Sequence, residues 1–152
     1  MNLSISVVIS SKVEYGLIAL LELAKCYEKN TVLSVSQIAE YQNIPIRYLD
    51  QILTHLRRNG IVDSQRGAKG GYVLARPPGE ITLLEIVRIL ESDRTAKSEL
   101  SSESLTLEKA IVLDILKKAE QKSQSVLQGY TLADLTKQKN AHGNCNILFI
   151  HD

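Results

Sequence analysis

The stretch "LSVSQIAEYQNIPIRYLDQILTHLRRNG", Leu33 to Gly60, constrains the fold more than any other part of the chain, because it holds two helix starts only a few residues apart. Ser34 with Gln37 at the third helical position has the form of a capping box, and Leu33 and Ile38 stand where a hydrophobic staple would close over it. That pattern predicts a short helix from Val35 to Tyr41. "QNIP" is then a turn, and Pro45 suits the first position of a new helix, where its missing N–H is no loss. In "PIRYLDQILTHLRRNG" the residues Leu49, Ile52, Leu53 and Leu56 recur at i, i+3, i+4 and i+7, so one face is apolar, and Gly60 is placed at C′ to end the helix. A short helix, a tight turn and a longer helix make the helix-turn-helix pattern.

The other face of the longer helix carries Arg47, Gln51, Thr54, His55 and Arg58 in one outward stripe, with Tyr48 at its edge. The forked Arg and the amide of Gln can read base edges, whereas Thr, His and a second Arg suit either phosphate or base contact. A plain solvated helix face has the same composition, and the helix alone favours that reading. The next residues of the chain reverse it. "IVDSQR" and "GYVLAR" read as two strands joined by "GAKG". Gly67, Gly70 and Gly71 allow positive φ and remove bulk at the hairpin tip, while Arg66 and Lys69 give it charge, so the tip suits a phosphate ridge or a minor groove. Such a hairpin after a helix-turn-helix has the place of a wing. A nucleotide-binding loop is the competing reading of "GAKGG". It fails on context, because that loop needs Lys-Ser/Thr opening a helix and Gly71-Tyr72-Val73 opens a strand.

Charge distribution agrees with a polyanion partner. From Ile44 to Arg76 the cations Arg47, Arg57, Arg58, Arg66, Lys69 and Arg76 stand against Asp50 and Asp63, a surplus of four in a chain whose net charge is only +1. The leading "MNLSISVVIS" has no basic n-region and no long apolar run, so neither a signal peptide nor a membrane span is expected. The two cysteines, Cys26 and Cys145, are far apart, which fits a reduced cytoplasmic setting better than a disulfide framework.

Around this centre, Val13, Leu17, Leu20, Leu21 and Ala24 give "KVEYGLIALLELAKCYEK" a helical apolar face. "PPGEITLLEIVRILES" starts a helix with a second capping box, Thr82 to Glu85, after a rigid Pro77-Pro78 lead-in. "DRTAKSELSSES" has the composition of a flexible loop. "LTLEKAIVLDILKKAEQKSQSVLQ" is a long helix with one stripe of Leu105, Val112, Leu116, Ala119 and Val126 and another of Ile111 and Ile115. Being apolar most of the way round, it needs cover on two sides, and a second copy in a two-fold dimer is the simplest second cover; burial within its own chain is the alternative. "YTLADLTKQ" reads as a short capped helix from Thr131, and "CNILFI" as a strand candidate. The expected organisation is a winged helix-turn-helix over 11–92, a flexible loop over 93–104, a dimerisation helix over 105–128, and a short helix and strand over 129–152. The fold class is mainly α with a small β-hairpin wing.

"EYGLIALLELA", "SQIAEYQNIPIRYLDQILTHLRRNGIV", "SQRGAKGGYVLARPPGEITLLEIVRILE" and "YTLADL" together resemble the Rrf2 family of bacterial winged-helix transcription regulators. The resemblance is close from Lys12 to Glu91 and weaker beyond. It implies a cytoplasmic homodimer that binds double-stranded operator DNA, mostly as a repressor, at a near-palindromic site. It places Arg47, Tyr48 and Gln51 at the base-reading and phosphate-reading positions of the recognition helix, and Arg66 where the wing enters the minor groove. With Lys12 and Ser36, the candidate DNA-contact set is Lys12, Ser36, Arg47, Tyr48, Gln51, Thr54, His55, Arg58, Arg66 and Lys69.

The chain departs from the family in its sensor. Many members carry three cysteines just after the helix that ends here near Glu91, and these hold an iron–sulfur cluster; this chain has no cysteine between Cys26 and Cys145. A cluster needs several thiolate ligands, so none is expected. His142, Cys145 and His151 are the remaining metal-ligand candidates, against the preferred reading of surface histidines and a packed cysteine. Members without the cluster include regulators of cysteine and sulfur metabolism that respond through a partner protein, cysteine synthase, and a protein or small-molecule effector of that kind is one alternative. A winged-helix module that docks an acidic protein is another. No catalytic constellation can be placed on the histidines or carboxylates, so no enzyme activity is expected.

Overall fold

A computed structural model of the chain describes residues 10–92 and 106–142. The expected loop over 93–104, Leu105, the strand candidate "CNILFI", Cys145 and His151 lie outside the described residues. The elements follow in the order α1 (Ser11–Lys25), α2 (Val35–Gln42), α3 (Ile46–Arg58), β1 (Val62–Gln65), β2 (Gly71–Leu74), a 3-10 turn (Pro78–Glu80), α4 (Leu83–Glu91), α5 (Leu107–Gln128) and α6 (Leu132–His142). The fold is thus mainly helical with one antiparallel hairpin, in which Val62 pairs with Leu74 and Gln65 with Gly71.

Local signals set the helix-turn-helix. The Gln37 N–H donates to Ser34 Oγ at 3.1 Å, and the Ser34 N–H donates to Gln37 Oε1 at 2.9 Å, so both halves of the capping box form. Leu33 and Ile38 are both buried beside it. α2 ends at Asn43 in the left-handed region, φ 52° and ψ 48°, a conformation that Asn tolerates better than most residues. Pro45 is the N-cap of α3 rather than its first helical residue: its ψ of 123° is extended, and its carbonyl accepts the first intrahelical bond from the Leu49 N–H. At the far end the Ile61 N–H donates to the Leu56 carbonyl and the Gly60 N–H to the Arg57 carbonyl, the paired bonds of a Schellman turn.

α3 is the axis of the core. Leu49, Ile52, Leu53 and Leu56 have no exposed surface, and they pack in one cluster with Val13, Ala19, Leu20 and Leu23 of α1, with Ile61 just ahead of β1, with Ile86 and Leu90 of α4, and with Leu132 of α6. Each such side chain contributes about 1.5–3 kcal/mol by leaving water. The buried face of α1 is rotated from the expected one: Gly16, Ala19 and Leu23 are buried, while Leu17 and Leu21 are only half-buried. Gly16 explains the rotation, because a Cβ there would lie 2.5 Å from Leu90 Cδ1, so α4 crosses α1 at the glycine.

Two long-range polar contacts complete the frame. Glu22 is buried on α1, where its carboxylate accepts from Gln42 Nε2 at 2.6 Å and pairs with Lys25 at 2.6 Å, tying the end of α2 to α1. The capping box expected at Thr82–Glu85 is half formed. The Glu85 N–H donates to Thr82 Oγ1, but the Glu85 carboxylate accepts from Arg76 at 2.6 Å, linking the end of the hairpin to α4. α6 returns to this region: Thr131 bridges to Thr82, the Leu83 N–H donates to the Tyr130 carbonyl, and the Leu132 N–H donates to the Ile81 carbonyl.

Candidate nucleic-acid interface

With its apolar stripe sealed in the core, α3 turns Arg47, Gln51 and Arg58 outward as exposed side chains, and Thr54 and His55 half-buried beside them. Lys12 arrives from the first turn of α1. It lines one open groove, of about 540 Å³, together with Tyr48, Gln51, Thr54, His55 and Arg58. Six of the ten candidate residues therefore meet in one place. Tyr48 is fixed at its rim by an edge-to-face contact with Tyr15, ring centroids 5.6 Å apart and planes at 85°, so the ring is positioned before any ligand arrives.

Arg47 and Gln51 also line a second groove, of about 440 Å³, with Val35, Ile46 and Asp50. Sequence periodicity did not mark these last three as site residues. Ile46 and Asp50 belong to the start of α3, and Val35 opens α2, so the groove follows the mouth of the helix-turn-helix. Ser36 is exposed in the first turn of α2.

The hairpin is fastened at its base and open at its tip. Leu33, just ahead of the α2 cap, exchanges two backbone bonds with Tyr72, at 3.1 and 2.7 Å, so the wing is hydrogen-bonded to the helix-turn-helix. Arg57 Nη1 donates to Ser64 Oγ at 3.1 Å and holds the last turn of α3 to β1. Arg66 and Lys69 are exposed at the tip.

The three tip glycines serve different ends, which corrects the expectation that all of them clear the way for a ligand. Gly67 has φ +113° and nothing within 4 Å of where a Cβ would stand, so it alone supplies a free left-handed turn. A Cβ on Gly70 would lie 2.5 Å from the Gln65 carbonyl oxygen, and one on Gly71 would strike the Leu33 carbonyl. Their missing side chains are required inside the protein, by the turn and by the Leu33–Tyr72 bridge. Of the basic segment, Arg76 is paired with Glu85 of α4 at 2.6 Å.

No group of three His, Cys, Asp or Glu residues is placed to hold a metal ion among the described residues. Cys26 caps α1, half-buried against the core. His142 is the last residue of α6. Among the described residues no helix is long and apolar enough to cross a membrane.

Known proteins share both this sequence pattern and this geometry. The sequence model of the Rrf2 family, described as an iron-dependent transcriptional regulator, matches residues 9–138. The Synechocystis protein slr0846 is 38% identical over 84% of this chain and 86% of its own length. The HTH-type transcriptional regulator CymR of Bacillus subtilis is 45% identical over 55% of this chain and 59% of its own. Among solved structures, T. potens IscR superposes with a TM-score of 0.71 at 30% identity, covering 97% of this chain and 98% of its own. CymR of B. subtilis, described as the global cysteine regulator, superposes with a TM-score of 0.65 at 35% identity, covering 86% and 96%.

Proposed function

The chain belongs to the Rrf2 family of DNA-binding transcriptional regulators, and we propose that it acts as a cytoplasmic homodimeric repressor that reads a near-palindromic operator with α3 and steadies it with the wing. The observation that carries this is the two-sided character of α3: four residues are sealed in the core on one face, and Arg47, Gln51 and Arg58 are exposed on the other, with Gln51 and Arg58 lining a groove shared with Lys12. Gln51 and Arg47 read base edges, Lys12, Arg58 and Tyr48 hold phosphates, and Arg66 and Lys69 bring the wing tip to the minor groove. It performs no catalysis.

Dimerisation rests on α5, in which no residue is buried and Ile111 and Ile115 remain 57% and 59% exposed. A second copy supplies the cover. The iron in the family description does not fit the ligands present: the chain has two cysteines, one of them packed at the end of α1, whereas a cluster needs several thiolates. The signal therefore enters through a protein or small-molecule effector. The likeness to CymR, described as a global cysteine regulator, favours control of cysteine metabolism.

The test is selection of duplexes from a random pool, with affinity then measured across a salt series. A preferred near-palindromic sequence is expected, with log K falling linearly as log salt rises. Gln51→Ala should cost about 1–3 kcal/mol at particular base pairs, and Arg66→Ala should weaken all sequences and lower the salt slope by about one. Equal affinity for every sequence would leave the protein-docking module as the better account.

A further inference from the structure

On the reading that α3 enters the major groove, we infer that Ile46 is a specificity-determining residue that recognises the C5-methyl group of a thymine. Counting back three residues from Leu49 and seven from Leu53 puts Ile46 on the apolar stripe of α3. Leu49 and Leu53 are completely buried, yet Ile46 is 48% exposed, because the stripe runs past the core at the first residue of the helix. Local propensity gives no reason for a β-branched residue there, since it favours a helix less than Ala, Glu or Lys would.

Its surroundings give a reason. Ile46 and Val35 make the apolar side of the groove whose polar side is Arg47, Asp50 and Gln51. Recognition helices present their N-terminal residues to base edges. In the major groove, the thymine methyl is the apolar group that a base offers, alongside the acceptors and donors read by amide and guanidinium groups. A groove with one apolar and one polar wall at the start of α3 fits a thymine methyl beside a hydrogen-bonded base edge.

The experiment uses a duplex selected by the full chain, in which each thymine in turn is replaced by deoxyuracil, removing one methyl group and nothing else. Burial of one methyl group predicts about a fourfold loss of affinity at one thymine per half-site, with the other thymines near neutral. In Ile46→Ala that sensitivity should vanish, and in Ile46→Val it should be reduced, while the sensitivity of the selected duplex to Gln51→Ala persists. Two results overturn the inference and leave the DNA reading intact: no thymine whose methyl matters to the wild-type chain, or a methyl effect undiminished in Ile46→Ala. A pool with no preferred sequence overturns both together.

Discussion

Three glycines in the span from Gly67 to Gly71 look alike in the sequence, and the structure separates them by what their missing Cβ atoms would meet. Residue type reveals that a turn is present; only the fold reveals that Leu33, far back in the chain, passes over Gly71. The contrast is measurable. Gly71→Ala must break or displace the Leu33–Tyr72 bridge, and strain of that kind costs about 1–3 kcal/mol or more. Gly67→Ala meets no atom and bears only the conformational penalty of its φ, roughly 1–2 kcal/mol. Urea unfolding of the two variants checks this: Gly71→Ala should lose clearly more stability, and equal losses would mean that the bridge is not holding the wing. The outward stripe was more legible. Arg47, Gln51 and Arg58 are exposed because Leu49, Ile52, Leu53 and Leu56 fix the opposite face of the same helix, a consequence of periodicity alone. Ile46 obeys that periodicity and is exposed nonetheless, since no spacing rule records where a helix outruns the core it packs on.

At the scale of elements, three helix starts carry the same kind of local signal, and they show what local signals can and cannot specify. Ser34 and Gln37 form both bonds of their box. Thr82 caps α4, but Glu85 prefers Arg76, a partner nine positions back that only the folded hairpin delivers. The start of α6 repeats the box with an aspartate: Thr131 Oγ1 accepts from the Asp134 N–H at 3.2 Å, and the Asp134 carboxylate accepts from the Thr131 N–H at 2.9 Å. That backbone bond, and then the Thr131 hydroxyl, hold the Asp134 carboxyl below its ordinary value of 3.8. A carboxylate with a depressed folded pKa stabilises the fold above its unfolded pKa, and the contribution is lost as pH falls through the lower folded value. Asp134→Asn should therefore lower stability at neutral pH and flatten the acid side of the profile below 3.8. Urea midpoints between about pH 5 and about pH 2 would show it; an acid limb as steep as that of the wild-type chain would mean that Asp134 plays no part in it. The Glu22–Gln42 bond, by contrast, left no trace in the sequence, because no spacing rule pairs two side chains twenty positions apart.

For the whole molecule, the question is what covers α5. Its sequence shows apolar residues most of the way round, and the folded chain buries none of them completely. The return of α6 through the Thr131–Thr82 bridge anchors the far end of α5 to the DNA-binding unit without wrapping it, and the composition of "YTLADL" alone could not have revealed this. If two copies pack α5 against α5, two recognition helices can stand about 34 Å apart on one side of a duplex, and each half-site alone binds weakly. Charging the exposed stripe tests the arrangement without disturbing the single-chain core, since Ile111 and Ile115 are already open to solvent. Ile111→Asp with Ile115→Asp should convert a dimer to a monomer in sedimentation velocity and leave the helical circular dichroism of the chain largely intact. Affinity for the full selected site should then fall towards that of an isolated half-site, a far larger loss than any single contact on α3 can cause, because the second half no longer binds at the effective concentration that linkage provides. A doubly charged variant that still sediments as a dimer would move the interface away from α5, and with it the predicted spacing of the operator halves.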